Sequence, residues 1–208
     1  MSIWYTGSWS DLMIVRCKNV DDVWFGIAYE EEEVFATSFG SDERKVLKNL
    51  RGSLPAGIML KSSGRASTFA ERILEILKLV YDGKNADVGG VQLNMNRLPS
   101  YSRLVLGAVC MVPVGYITSY GSVAKAVGGG ARAVGNIMAR NPFAPLCPCH
   151  RVVASDLSLG GYGGGLKTKL AFLRRERRGF TSERDISIGK GKLHVFPVER
   201  VFEKASRR

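Results

Sequence analysis

Histidine, cysteine and acidic residues are the scarce types in this chain of 208 residues, with 2, 4 and 19 copies. Cys17 and Cys110 stand alone in apolar-patterned segments and read as small buried hydrophobes rather than as a disulfide pair. The first region has one cysteine and no histidine, which excludes a zinc site there. No apolar run approaches the length needed to span a bilayer, and residues 1–11 lack the basic-then-apolar layout of a secretory signal. A soluble, intracellular protein with no membrane partner is therefore expected. The shortage of acid is also uneven. Residues 1–98 carry 12 Lys and Arg against 13 Asp and Glu, whereas residues 99–208 carry 18 against 6. An excess of positive charge confined to one half points to a polyanion held through counterion release, although a surface chosen for solubility gives the same count.

What is present divides the chain. Residues 11–19, 23–31 and 34–40 mix β-branched, aromatic and apolar types around a polar turn at 19–22, and read as an antiparallel meander. Ser41 and Asp42 offer helix caps ahead of Val46, Leu47 and Leu50. Residues 68–82 place Phe69, Ile73, Ile76, Leu77 and Val80 on one helical face, with Gly83 as the stop. This makes residues 1–87 a small N-terminal α+β domain, followed by a connecting segment at 88–98. Within 99–180, Ser100 or Ser102 caps a helix running to about Met111. Ser119 opens a short helix with Val123, Ala124 and Val127, the glycines 128–130 make a tight turn, and residues 131–139 form a second helix. Two short helices about a glycine turn make a helix-turn-helix, which alone is weak evidence of DNA binding. A basic extension, 181–208, contains a strand at 192–198 and basic ends at Lys190, Lys192, Arg207 and Arg208.

The chemistry concentrates at Cys147, Cys149 and His150. A thiol beside an imidazole after Pro148 makes a nucleophile, since the thiolate is the attacking species and needs a base. Three other readings share these residues. A cysteine hydrolase would use Cys149, His150 and Glu176 for acyl transfer. A zinc site would lack a fourth ligand and the usual paired spacing. A catalytically silent DNA-binding protein would need no thiol.

The stretch from Tyr116 to Glu176 resembles O6-alkylguanine-DNA alkyltransferases. The resemblance rests on Ser119-Tyr120, the Ala-Arg-Ala-Val-Gly run at 131–135, Asn141-Pro142, the run at 148–153, and Tyr162 with Gly164 and Gly165. It implies a fold of class α+β, with a ribonuclease-H-like first domain and a mainly helical second domain bearing the helix-turn-helix. It also implies stoichiometric transfer of an alkyl group from guanine O6 in double-stranded DNA to Cys149, after the nucleotide is flipped out of the stack. The protein would be spent by one transfer, act as a monomer, and need no cofactor or metal. By the same resemblance, His150 activates Cys149 through a water and Glu176, placed in a helix at 169–178, orients the imidazole. Tyr120 serves guanine N3, and Asn141 braces the turn before the cysteine. Arg132 fills the gap left by the flipped base, while Ala131, Ala133 and Gly135 keep the helix bare enough to press on the minor groove. Tyr162, Gly163 and Val152 line the substrate pocket. Gly163 and Ala144 depart from the family, which commonly has serine and proline there.

Overall fold

The computed structural model describes residues 12–62, 67–189 and 191–205. The first sheet contains β1 (Leu12–Val20), β2 (Val23–Glu30), β3 (Glu33–Gly40) and β4 (Met59–Ser62) in the order β3-β2-β1-β4. The first three strands are the expected antiparallel meander; β4 adds a parallel partner to β1 that its four residues did not announce. Asp21 and Asp22 both take positive φ, of 51° and 62°, which gives the two-residue turn a twist that matches the strands. Alternation along β2 sends Phe25, Ile27 and Tyr29 to one face and Ala28 to the other. Helix α2 (Thr68–Tyr81) covers the first face with Ile73, Leu74 and Leu77, and α1 (Glu43–Gly52) covers the second with Val46 and Leu50. Asp42 caps α1 by accepting from Lys45 N at 2.8 Å. Gly83, at φ 71°, turns the chain out of α2.

The segment between the two regions runs along β3, where Val34 N donates to Gln92 O and Asn94 N donates to Val34 O. Helix α3 (Ser100–Cys110) then starts the second region. Its N-cap is Pro99, with no side-chain cap, so neither Ser100 nor Ser102 plays the expected part. There follow β5 (Tyr116–Ser119), α4 (Tyr120–Val127), α5 (Ala131–Ala139), a 3-10 turn at Cys149–Arg151, β6 (Val152–Val153) and α6 (Leu166–Arg175). The chain ends in β7 (Arg184–Ile188), β8 (Gly191–Pro197) and α7 (Glu199–Ala205). Alongside the helices expected here the region holds a sheet of its own, ordered β6-β5-β8-β7, two of whose strands lie beyond residue 180. The other two strands are four and two residues long, too short for alternation to register. The hairpin after residue 183 is thus part of the body: Tyr116 pairs with Pro197, and Thr118 Oγ1 donates to His194 O at 2.8 Å. Lys190, Arg207, Arg208 and residues 1–11 lie outside the described residues.

The two regions meet through backbone and aromatic contacts. Thr37 N and Oγ1 donate to Pro142 O and Ala144 O, both at 2.8 Å, tying β3 to the loop that precedes Cys149. Phe172 of α6 stands edge-on to Phe39 and Tyr81, each at 5.3 Å, and Arg175 lies 4.3 Å over the Tyr81 ring. No helix among the described residues is long and apolar enough to cross a membrane.

Candidate active site

Pro148 leads into a 3-10 turn, which places Cys149, His150 and Arg151 in the interior. Cys149 lies in a cavity of about 440 Å³ lined by Tyr120, Gly135, Met138, Ala139, Gly161, Tyr162 and Gly163. His150 is fully buried and stacks on Phe172 at 4.4 Å. Its Nε2 is 2.8 Å from Glu176 Oε1, while its Nδ1 is buried with no hydrogen-bond partner. Glu176 is also held by Arg151, whose Nε donates to Oε2 at 2.9 Å and whose Nη2 donates to Oε1 at 2.8 Å. Arg151 Nη1 donates to Val112 O at 2.6 Å, so the guanidinium is fixed at both ends. Glu176 does not lie inside a helix at 169–178, as expected. The helix spans Leu166–Arg175, and Glu176 is its C-cap.

These contacts set the charges. Burial alone would raise the Glu176 carboxyl, but His150 and Arg151 outweigh it and hold the group well below its usual range. Burial dominates at His150 and pushes its pKa down against the pull of Glu176. We take the carboxylate to be ionised and the imidazole neutral, since the arginine needs a counterion and the imidazole does not. Glu176 accepts only, so Nε2 carries the proton and the orphaned Nδ1 presents a lone pair. Burial raises the Cys149 pKa, while contact with Asn141, the Lys169 charge and the Tyr162 hydroxyl oppose it.

Lys169 is the functional residue that sequence reasoning missed. It is fully buried, and its Nζ donates to Val152 O at 2.6 Å, to Gly161 O at 3.2 Å and to Leu159 O. Burial brings its pKa down to about 8, and the Cys149 charge pulls it back up. One cation thereby fastens the glycine loop to β6 and sits near the thiol. A signal was available: Lys169, Phe172, Leu173 and Glu176 share one helical spacing, so the apolar face of α6 carries both ionisable residues inward. Arg151 had no such signal.

The other expected residues are placed as follows. Tyr120 points its hydroxyl at Gly161 O, 3.1 Å away, and burial followed by the Cys149 charge raises its pKa. Asn141 accepts from Phe143 N at 3.0 Å and donates to Cys147 O at 2.8 Å, closing the loop before Cys149. Ser119 caps α4 by accepting from Ser122 N at 2.9 Å. Ala131, Arg132 and Ala133 are exposed on the first turn of α5, whereas Gly135, Met138 and Ala139 of the same helix line the cavity. The turn before α5 is fixed by Tyr101, whose hydroxyl donates to Gly128 O at 2.8 Å; a Cβ on Gly129, at φ 89°, would fall 2.3 Å from the Tyr101 hydroxyl oxygen. Val152 corrects one expectation. Its side chain is in the core, away from the cavity, because β6 pairs with β5 and turns it inward; only its carbonyl serves the site, through Lys169. Cys147 is buried with its Sγ 3.5 Å from Leu106 O, and burial raises its pKa well above the usual range. All four cysteines are free thiols, and Cys17 and Cys110 are half-buried. No group of metal-holding side chains occurs among the described residues.

A family model described as 6-O-methylguanine DNA methyltransferase, DNA binding domain, matches residues 100–178. A methylated-DNA–protein-cysteine methyltransferase from Methanothermobacter thermautotrophicus is 36% identical over 106 residues, which cover 51% of this chain and 60% of that protein. One from Methanocaldococcus jannaschii is 37% identical over 113 residues, 53% of this chain and 67% of that protein. The chain thus spans less than two thirds of the first relative's length. The crystal structure of Mycobacterium tuberculosis OGT in complex with DNA superposes with a TM-score of 0.63 at 26% identity, covering 78% of this chain and 92% of that one.

Proposed function

Because this chain belongs to the O6-methylguanine DNA methyltransferase family, we propose that it repairs double-stranded DNA by moving an alkyl group from guanine O6 to Cys149. The observation that carries this reading is the buried, unpartnered Nδ1 of His150 behind a cysteine that lines an open cavity. A water between the thiol and Nδ1 relays the proton, and the imidazolium that forms is met by the Glu176 carboxylate. The thiolate sulfur then bonds to the alkyl carbon as the carbon–O6 bond breaks. The guanine anion is stabilised by a hydrogen bond from the Tyr120 hydroxyl to N3. Arg151 keeps Glu176 ionised throughout.

The lesion lies inside the duplex, so the nucleotide must be flipped at a cost of a few kcal/mol. The α4–turn–α5 unit acts as the helix-turn-helix, with Ala131, Ala133 and Gly135 against the minor groove and Arg132 in the gap. One helix thereby carries both the exposed arginine and part of the cavity lining, which supports coupling of gap filling to base capture. The first sheet, with its order β3-β2-β1-β4, is read as ribonuclease-H-like. The catalytic unit is residues 99–180, completed by the β7–β8 hairpin. A thioether is a poor leaving group, so the chain accepts one alkyl group and is spent. A cysteine hydrolase would give Arg132 and the basic half no role, and a silent lesion sensor would not need Cys149.

Mixing the protein with excess duplex carrying O6-methylguanine tests this reading. The expected result is a burst equal to the active protein with no steady state after it; sustained turnover contradicts the mechanism. Arg132→Ala should slow repair of duplex more than reaction with free O6-benzylguanine, and equal slowing would remove the arginine's role.

A further inference from the structure

The cavity at Cys149 is continuous with a larger groove of about 890 Å³ between the two regions. Next to Cys149 and Tyr162 the wall carries the apolar Met138, Ala139 and Ala144, together with the polar Asn141, Thr37 and Thr168. It ends on α1, where Lys45 and Lys48 are exposed and form no ion pair among the described residues. Asn49 stands beside them, its amide donating to Ser38 Oγ at 3.3 Å. Among the described lining residues Asp22 is the one carboxylate, against the two ammonium groups. Apolar side chains beside the sulfur and two ammonium groups on α1 suit a chain that is hydrocarbon at its reacting end and anionic at its tip.

We propose that this groove is a subsite for O6-alkyl groups several carbons long that end in a carboxylate. The methylenes lie along Met138, Ala139 and Ala144, and the carboxylate meets Lys45 and Lys48. The inference rests on the alkyl-transfer reading above and names a substrate class for it. The bond changes are those of methyl transfer: sulfur bonds to the first carbon of the chain, the bond from that carbon to O6 breaks, and guanine leaves with the electron pair as the anion hydrogen-bonded by Tyr120, later taking a proton from water while the thiol's proton passes from His150 to solvent. The carboxylate takes no part in the reaction and remains in the groove on the spent protein. Because the lysines are exposed, their attraction is screened, and the gain is modest.

The test compares single-turnover rates on duplexes carrying O6-methylguanine, O6-pentylguanine and O6-(carboxybutyl)guanine, the last two alike in length and different in charge. The carboxybutyl group should transfer about fivefold faster than the pentyl group, the scale of one or two exposed charge pairs. Lys45→Gln with Lys48→Gln should erase that advantage and leave methyl transfer unchanged. Equal rates for the two long groups would overturn the proposal, as would a double variant that slows all three substrates alike, since that marks phosphate steering. Methyl transfer in the parent protein reports separately on the alkyl-transfer reading. If it fails, binding of the two free bases to the Cys149→Ala protein still decides: tighter binding of the carboxybutyl base that is lost in the lysine variant supports the subsite, and equal binding overturns it.

Discussion

Residues 12–98 and 99–205 both close over apolar clusters, yet they treat charge differently. The buried polar side chains of the first region are Thr37, Ser38 and Asn94; those of the second include His150, Arg151, Lys169 and Glu176. Burying apolar area stabilises a fold by roughly 25 cal/mol per Å². Burying an ion pair often contributes nothing net, because desolvation offsets the attraction. The first region is therefore built for stability and for pinning the loop before Cys149 through Thr37. The second accepts three buried charged groups, Arg151, Lys169 and Glu176, to hold one thiol and one imidazole in place.

The sharpest way to break this contrast is Glu176→Ala. It strands the Arg151 guanidinium and the His150 Nε2–H in the interior, and removal of one partner from a buried pair costs about 3–5 kcal/mol. Denaturant unfolding should show that loss; a change below about 1 kcal/mol would mean the cluster is hydrated and the contrast false. Acid gives an independent reading of the same cluster. As pH falls through 6.5 the unfolded chain protonates His150 while the buried imidazole resists, so stability begins to fall there. Glu176, held below its ordinary 4.5, then removes more stability as pH falls from that value toward about 2. His150→Gln should abolish the upper stage of the decline in melting temperature and leave the lower one; an unchanged upper stage would assign it elsewhere.

In the first region the matching perturbation is steric. A Cβ on Gly26 would stand 2.4 Å from Val46 Cγ1 and 3.0 Å from Cys17 Sγ. Gly26→Ala should cost about 1–3 kcal/mol by overpacking and leave the rate of alkyl transfer below the melting range unaltered. A slowed reaction would show that α1 packing reaches the site. The smallest effect is expected at Glu71, whose pairs with Arg16 and Lys18 at 3.1 and 2.7 Å are partly exposed. Glu71→Ala should cost about 0.2–1 kcal/mol, screened by salt. A salt-insensitive loss as large as that of Glu176→Ala would erase the distinction between the regions.

The same contrast governs how much was legible in the sequence. The meander, α1 and α2 followed from alternation, from Asp42 and from the stop at Gly83, because each obeys local rules over eight residues or more. β5 and β6 escaped notice because they owe their conformation to pairing partners rather than to their own four and two residues. β7 and α7, five and seven residues long, depend in the same way on the hairpin that joins β5. Cys149 and His150 stood out by their clustering with Cys147, whereas Glu176, Asn141 and Tyr120 came forward through resemblance. What resemblance did not supply was direction: that Val152 turns into the core while its carbonyl serves Lys169, and that Arg151 points inward to share Glu176 with His150. Those facts depend on contacts across 17 and 25 residues of chain, which no local pattern encodes.

The proposed transfer makes Cys149, and not its buried neighbour Cys147, the acceptor of the alkyl group. Peptide mapping by mass spectrometry after reaction with O6-methylguanine duplex measures this directly. One added methyl on Cys149, absent from the Cys149→Ser protein, is the predicted result. A methyl on Cys147, or transfer that survives Cys149→Ser, would contradict the account.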